Sequence, residues 1–287
     1  MKVAVIGSNG QLGIDLCQSF AGAGDEVIPL THTDVDIASM ESVSGALAIA
    51  KPDIVVNTAA MHHVDHCEER PDHAFAVNAV GARNLALVSR EIGAPIMHVS
   101  TDYVFNGAKG TPYTEQDLPG PLNAYGNSKL AGEYFIASMS PRHFVVRTSA
   151  IYGVNPCRAK GGLNFVELML KLAKDRGEVK VVDSEFVSPT FTAELADQMV
   201  RLAHTEHFGL YHCTAEGSCS WHDFAKEIFT LSGTPVKLNA AGPNDFPVKV
   251  PRPRYSVLEN AALKARGLNL FTDWKEGLQK YFQQRRS

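Results

Sequence analysis

The chain has 287 residues, 45% of them hydrophobic and 20% charged, which is the balance of a water-soluble globular protein with room for one large α/β domain or a main domain and a smaller companion. A formal net charge of −4, with no basic stripe interleaved with aromatics, argues against a nucleic-acid partner. Five scattered cysteines (Cys17, Cys67, Cys157, Cys213, Cys219) form no Cys-x-x-Cys pair, and neither a signal-peptide pattern nor an apolar run of about 18 residues is present, so free thiols, no membrane span and a cytoplasmic location are expected.

The first predicted strand, KVAVIG, leads into GSNGQLG at residues 7–13 and a helix over 11–23. Glycines at the first, fourth and seventh places suit a dinucleotide pyrophosphate. Gly7 makes the tight turn, Gly10 lets backbone approach the phosphates, and Gly13 permits close helix–strand packing. The loop opens the first βαβ unit of the chain, which favours cofactor binding over a plain strand-to-helix turn. The second strand, EVIPL, ends at Thr31-His32-Thr33, where an Asp or Glu would select NAD through the ribose 2′-hydroxyl. With neither an acid nor an Arg there, Thr31 and His32 are suited to a 2′-phosphate, and the reading leans to NADPH over NADH. Asp36 and Ile37 stand where they could flank the adenine; for Asp36 the other reading is a cap on the next turn.

Helices over 40–50, 74–92 and 124–138 alternate with the strands DIVVNTA, PIMHVST and HFVVRTS. Continuous apolar strands between helices predict a parallel sheet covered on both faces. After Tyr152 the pattern loosens: helices over 164–175, 193–204 and 220–233, strands VKVV and GLYHC, the Pro-rich FPVKVPRPRY and two terminal helical pieces. The expected fold is α/β, a Rossmann-like doubly wound sheet over 1–152 with a smaller substrate-binding lobe over 153–287 partly interleaved with it.

IMHVSTDYVF ends a predicted parallel strand on Ser100, Thr101 and Asp102, where open α/β sheets bind ligands. Downstream, NAYGNSKLAGE places Tyr125 and Lys129 one helical turn apart. A lysine ammonium beside a phenol favours phenolate, and such a Tyr can protonate an alkoxide as hydride reaches a carbonyl carbon. A Thr hydroxyl nearby would share the developing charge.

With these motifs in this order the chain resembles the extended short-chain dehydrogenase/reductase family, and within it the dTDP-4-dehydrorhamnose reductases. The resemblance is carried by GSNGQLG, AAMHHVDHCEERPDHAFAVNAVGARNLA, STDYVFNG, PLNAYGNSKLAGE, RTSAIYG, NFVELMLKLA, SWHDFAKEIF and RPRYSVL, over nearly the whole length. It implies NAD(P)H-dependent reduction of a C4 ketone on a dTDP-sugar, with Tyr125 as proton donor, Lys129 holding the nicotinamide ribose and tuning Tyr125, and Thr101 and Asp102 on the sugar. It further implies Gly10, Gln11 and Leu12 on the pyrophosphate and Ala59 and Ala60 along the cofactor cleft. Asn164 matches a position near the nucleotide end, and Arg252 a position able to meet the diphosphate. Related dehydratases carry a second carboxylate after Asp102; Tyr103 stands there, so dehydration lacks its base.

The chain also departs from the family pattern. Ala150 stands where the family usually has an aromatic on the sugar, which keeps another nucleotide-linked keto sugar in view. A non-catalytic regulatory subunit, like that of methionine adenosyltransferase, is the rival from a different class; intact Thr101, Tyr125 and Lys129 speak against it. The run HHVDHC (His62, His63, His66, Cys67) invites a metal reading, but the family needs no metal there and none is assigned. Trp221 and Phe224 share a helical face and are expected to pack. Some members are dimers with magnesium at an acidic interface; no matching carboxylates are located in this chain, so a homodimer and a magnesium requirement stay open.

Overall fold

Residues 1–157, 161–242, 245–246 and 249–286 are described by a computed structural model. In β1 (Lys2–Ile6), Val3 and Val5 enter one apolar layer, and Ala4 and Ile6 the opposite one. Every later strand of the main sheet faces the same demand, because helices cover both sides. The first half continues through α1 (Gln11–Gly22), β2 (Glu26–Leu30), α2 (Met40–Ala50), β3 (Ile54–Asn57), α3 (Val64–Glu69) and α4 (Pro71–Phe75). A π-helical turn (Ala76–Val80) then runs into α5 (Gly81–Glu91), followed by β4 (Ile96–Thr101), α6 (Ala124–Met139) and β5 (His143–Thr148). The helix expected over 74–92 thus begins at Pro71 and contains a π turn.

The second half comprises β6 (Ile151–Tyr152), α7 (Phe165–Arg176), β7 (Glu178–Val182), β8 (Phe186–Val187), β9 (Thr190–Phe191), α8 (Thr192–Ala203) and β10 (Gly209–His212). It ends with β11 (Cys219–Ser220), α9 (Trp221–Ser232), β12 (Lys237–Ala241), α10 (Ala261–Ala265) and α11 (Trp274–Arg286). The expected Pro-rich stretch 246–255 is described except for 247–248.

The main sheet has six parallel strands in the order β10-β5-β4-β3-β1-β2. Because β2 and β3 flank β1 on opposite sides, the winding reverses between β1 and β3, and a crevice opens at their carboxyl ends. α1 and α8 pack together on one face, where Leu12, Leu16, Leu195 and Met199 join the core. α2, α5 and α6 cover the other with Leu47, Leu85 and Ile136. β10 and α8 come from the second half of the chain, so the two halves interleave at the sheet itself. A second core gathers Tyr152, Val166, Phe224, Ile228 and Tyr281. Beside it β12 pairs in parallel with β7; this strand, KLNAA, was not among the sequence expectations. Among the described residues no helix is long and apolar enough to cross a membrane.

Candidate active site

The carboxyl ends of the central strands border a cleft of about 580 Å³. All of the residues nominated from sequence line it: the glycine loop, Thr31, His32, Asp36, Ile37, Ala59 and Ala60, together with Thr101, Asp102, Tyr125, Lys129, Asn164 and Arg252. At Gly7 φ is +77°, and a Cβ there would lie 2.7 Å from Thr58 Oγ1. A Cβ on Gly13 would lie 2.2 Å from the Gly7 carbonyl oxygen, so α1 can start against this loop only with glycine there. Gly10 caps α1 without a side-chain bond, and no acid occupies the first turn. The positive end of the helix is thus presented to the cleft with no side chain across it, as an anionic pyrophosphate requires. Gln11 and Leu12 use their side chains elsewhere. Gln11 Nε2 donates to the carbonyl of Asn155 at 2.8 Å, and Leu12 is buried in the core. What they offer the cleft is backbone.

At the end of β2 the Thr31 hydroxyl and backbone N–H both donate to Asp34 Oδ2, at 2.6 and 2.8 Å, and those bonds hold the Asp34 carboxyl below its usual range. Asp36 accepts from the Ala38 N–H at 3.0 Å while lining the cleft, so its capping and cleft-facing readings coexist.

The short side chains around Tyr125 and Lys129 have a packing reason. A Cβ on Gly126 would sit 2.3 Å from the Tyr103 carbonyl, and one on Gly132 equally close, 2.3 Å, to the Asn78 carbonyl. α6 is thereby pressed against the turn after β4 and against the π turn. Asn123 caps the helix by accepting from the Gly126 N–H at 2.9 Å. Tyr125 then stands beside Thr101, whose hydroxyl is hydrogen-bonded to the phenol and donates to Asp102 Oδ1 at 3.0 Å. Asp102 Oδ2 accepts from Ser149 at 2.9 Å and from Ser256 at 2.5 Å. Burial nevertheless pushes the Asp102 carboxyl up, against the pull of the three hydroxyls.

Burial pushes the Tyr125 phenol up; Thr101 opposes it, and Asp102 and Cys67 add to it. The lysine is engaged behind the site, 2.7 Å from the Val99 carbonyl and 3.2 Å from His98 Nε2, and burial brings its ammonium down to about 8. Sequence reasoning passed over Asn57 and His98, which meet at 3.0 Å behind Lys129. The available signal was a polar residue closing the apolar run of β3, IVVN, and another interrupting the apolar start of β4, IMHV.

Asn164 caps α7 by accepting from the Glu167 N–H at 3.0 Å and donates to the Gly153 carbonyl at 2.7 Å. Arg252 reaches Asp65 at 3.6 Å and remains exposed; Arg254 is exposed outside the cleft. Phe165 and Trp221 face each other at 4.6 Å on the cleft wall, with Phe224 buried beneath. Trp221 packs against the second core and Phe224, as expected, and also borders the cleft. Tyr103 lies edge-on to Tyr125 at 5.6 Å, so the position after Asp102 is aromatic in space as in sequence. Ala150 lines the cleft in a left-handed conformation, φ +46°. Of the histidine run, His62 approaches Cys157 Sγ at 3.8 Å, and His63 stacks on His66.

The family described as RmlD substrate binding domain matches residues 1–287. The spore coat polysaccharide biosynthesis protein SpsK of Bacillus subtilis is 42% identical over 287 residues, covering 100% of this chain and 98% of that protein. A dTDP-4-dehydrorhamnose reductase from Clostridium acetobutylicum superposes with a TM-score of 0.95 at 40% identity, with 100% of both chains covered. The chain belongs to the dTDP-4-dehydrorhamnose reductase family. A second such reductase, from Bacillus anthracis in complex with NADP, has a TM-score of 0.92 at 37% identity over 98% of both chains. As a family member the chain is an NAD(P)H-dependent oxidoreductase. Its own residues fit that coenzyme, since Gly7 and Gly13 let the loop fold tightly against the start of α1, whose N-terminus carries neither a side-chain cap nor an acid.

Proposed function

We propose that the chain reduces the C4 ketone of dTDP-4-dehydro-L-rhamnose to dTDP-L-rhamnose, with Tyr125 as proton donor. The observation that carries this reading is the hydrogen-bonded series Tyr125–Thr101–Asp102 at the end of β4, in the same cleft as the glycine loop. A bound reduced nicotinamide supplies the hydride. As the ketone carbon receives it, the Tyr125 O–H gives its proton to O4, and the C=O becomes CH–OH. Thr101 holds the phenol in place, and by turning its one hydroxyl hydrogen from Asp102 to the phenolate left behind it lowers the cost of that anion. Tyr103 in place of a second carboxylate leaves no base for dehydration.

Residues 153–287 serve this reading as the substrate-binding part. Phe165 and Trp221 form an aromatic wall for the thymine, and Arg252 stands ready for the diphosphate. Asn164 acts by holding the start of α7 at the cleft. Ala150 supports a second reading, a different keto sugar, because a methyl group leaves open the space an aromatic would fill against the ring.

The test is coenzyme oxidation by the purified chain with dTDP-4-dehydro-L-rhamnose, beside Tyr125→Phe. Turnover that drops about 10²–10⁴-fold in a normally folded variant supports the assignment. A variant as active as the parent removes Tyr125 from its role. No turnover by protein that binds the coenzyme sinks the substrate, and other 4-keto sugar nucleotides are then the candidates.

A further inference from the structure

Asn57 and His98 are register partners across β3 and β4. With Lys129 they form a hydrogen-bond chain whose direction can be worked out atom by atom. The backbone N–H of Ala59 lies 3.0 Å from Asn57 Oδ1, and a backbone amide nitrogen has only a hydrogen to offer. That fixes the amide: Oδ1 faces Ala59, and Nδ2 donates to His98 Nδ1 at 3.0 Å. Nδ1 therefore accepts, the neutral ring carries its hydrogen on Nε2, and that hydrogen points at Lys129 Nζ, 3.2 Å away. Nζ in turn donates to the Val99 carbonyl at 2.7 Å. An ammonium here would set N–H against N–H. An amine has a lone pair to receive the imidazole hydrogen.

We infer that Asn57 and His98 are positioning residues that hold Lys129 as a neutral amine in the free chain, through a hydrogen-bond chain running one way from the Ala59 N–H to the Val99 carbonyl. All three side chains are at most 2% exposed. Moving the imidazole hydrogen to Nδ1 would accommodate an ammonium but would oppose the Asn57 amide hydrogens. Turning Asn57 would then oppose the Ala59 N–H, and this last donor cannot rotate. The conflict moves along the chain without disappearing.

The groups that act on Lys129 lie on α6 and β4. Glu133, one turn further along α6, favours the ammonium, but its oxygens already accept from Arg147 at 2.9 and 2.6 Å and from Ser100 at 2.5 Å. Burial works in the same direction as the chain of bonds, and Glu133 against it. Tyr125 then has no cation beside it until Lys129 takes up a proton. Filling the cleft with a ligand whose oxygens accept from Nζ is coupled to that uptake. This last consequence rests on the reductase reading, whereas the state of Lys129 in the free chain does not.

The experiment is NMR of the intact, ligand-free chain labelled with ¹⁵N-histidine and ¹³C,¹⁵N-lysine. The His98 signals are identified by their loss in His98→Gln, and the Lys129 signals by their loss in Lys129→Arg. Expected are a His98 ring with Nδ1 unprotonated and Nε2 protonated, and a Lys129 that is predominantly amine at neutral pH. In Asn57→Asp a carboxylate accepts from both Ala59 and His98 Nδ1–H. The chain reverses, the tautomer switches, and the Lys129 midpoint rises by at least about one pH unit, a tenfold gain in proton affinity. His98→Gln, whose amide can accept from Asn57 and donate to Lys129, keeps the low midpoint. A wild-type ring protonated at Nδ1, or a wild-type Lys129 that remains an ammonium at neutral pH, overturns the inference. So does an unchanged Lys129 midpoint in folded Asn57→Asp. If that variant does not fold, the wild-type tautomer and midpoint decide alone.

Discussion

Thr101 sits between two groups that burial has pushed toward their protonated forms, the Tyr125 phenol and the Asp102 carboxyl. Its hydroxyl touches both, and its single hydrogen favours the anion of whichever one it faces. Thr101→Val keeps the shape and removes the hydroxyl, so the phenolate left by proton donation loses its hydrogen bond. On the proposed mechanism kcat falls by about 10²–10³-fold, the range for losing one positioned donor, while coenzyme affinity measured by fluorescence titration is unchanged. A valine variant with wild-type kcat would mean that the phenol needs no partner at Thr101. The residues of this site were legible to different degrees. Tyr125 and Lys129 could be found from spacing, because a helix puts residues four apart on one face. What Lys129 touches could not, because His98 reaches it from β4 with Asn57 of β3 behind, 31 and 72 positions away along the sequence. That Trp221 borders the cleft as well as packing on the core was not legible, because helical periodicity cannot separate a residue on the core from one at the rim of a cleft.

At the scale of elements, the site is held by close approach of backbone to backbone. The π turn carries Asn78, which donates to the Met61 carbonyl at 2.9 Å, accepts from the Met61 N–H at 2.9 Å, and donates to Ser128 Oγ at 3.0 Å. One side chain thus ties the loop after β3, a wall of the cleft, to the helix bearing Tyr125 and Lys129. Gly132 makes the contact possible, since its Cα faces the Asn78 carbonyl. In Gly132→Ala the new Cβ meets that oxygen at 2.3 Å, and neither backbone can yield without moving α6. The helix gains about 1 kcal/mol from alanine's better propensity, but overpacking of this kind costs about 1–3 kcal/mol, so the net effect is a loss or near-cancellation in stability with a displaced helix. Urea unfolding reports the first. Turnover, expected to fall more than stability, reports the second. A variant at least as active as the parent would show that α6 has room to spare. The π turn itself left no mark in the sequence, because one extra residue in a helix hardly disturbs a tolerant apolar pattern. β12 was illegible for another reason: KLNAA is half-exposed and becomes a strand only because β7 offers it an edge.

For the whole molecule, the main sheet was the legible part, since its apolar strands between helices admit few other arrangements. The way the second half closes on the first was not legible. It depends on single buried polar contacts such as Ser256 on Asp102, Asn155 on Asp15 at 2.7 Å, and His212. His212 stands on β10 beside Arg147 of β5, with Nδ1–H shared between the carbonyls of Tyr113 and Glu259 at 3.1 and 3.2 Å. Burial, with Arg147 adding to it, brings the imidazole down from 6.5 to about 3. Between those values the unfolded chain binds a proton at this residue and the native state does not. Stability from His212 is therefore fully present above about pH 6.5 and is lost as the pH falls toward 3, by about 1.4 kcal/mol for each pH unit. His98, also buried and held neutral, works in the same direction. The buried carboxyls of Asp15 and Asp102, pushed up, work in the opposite one, so the total slope does not isolate His212. A comparison does. His212→Asn keeps a donor for the two carbonyls and removes the titration. Stability curves from urea unfolding should then converge as the pH is lowered from 6 to 4, with slopes differing by one proton, about 1.4 kcal/mol per pH unit. Parallel curves would mean that His212 is protonated in the native state and that Arg147 and the burial around it do not hold the ring neutral.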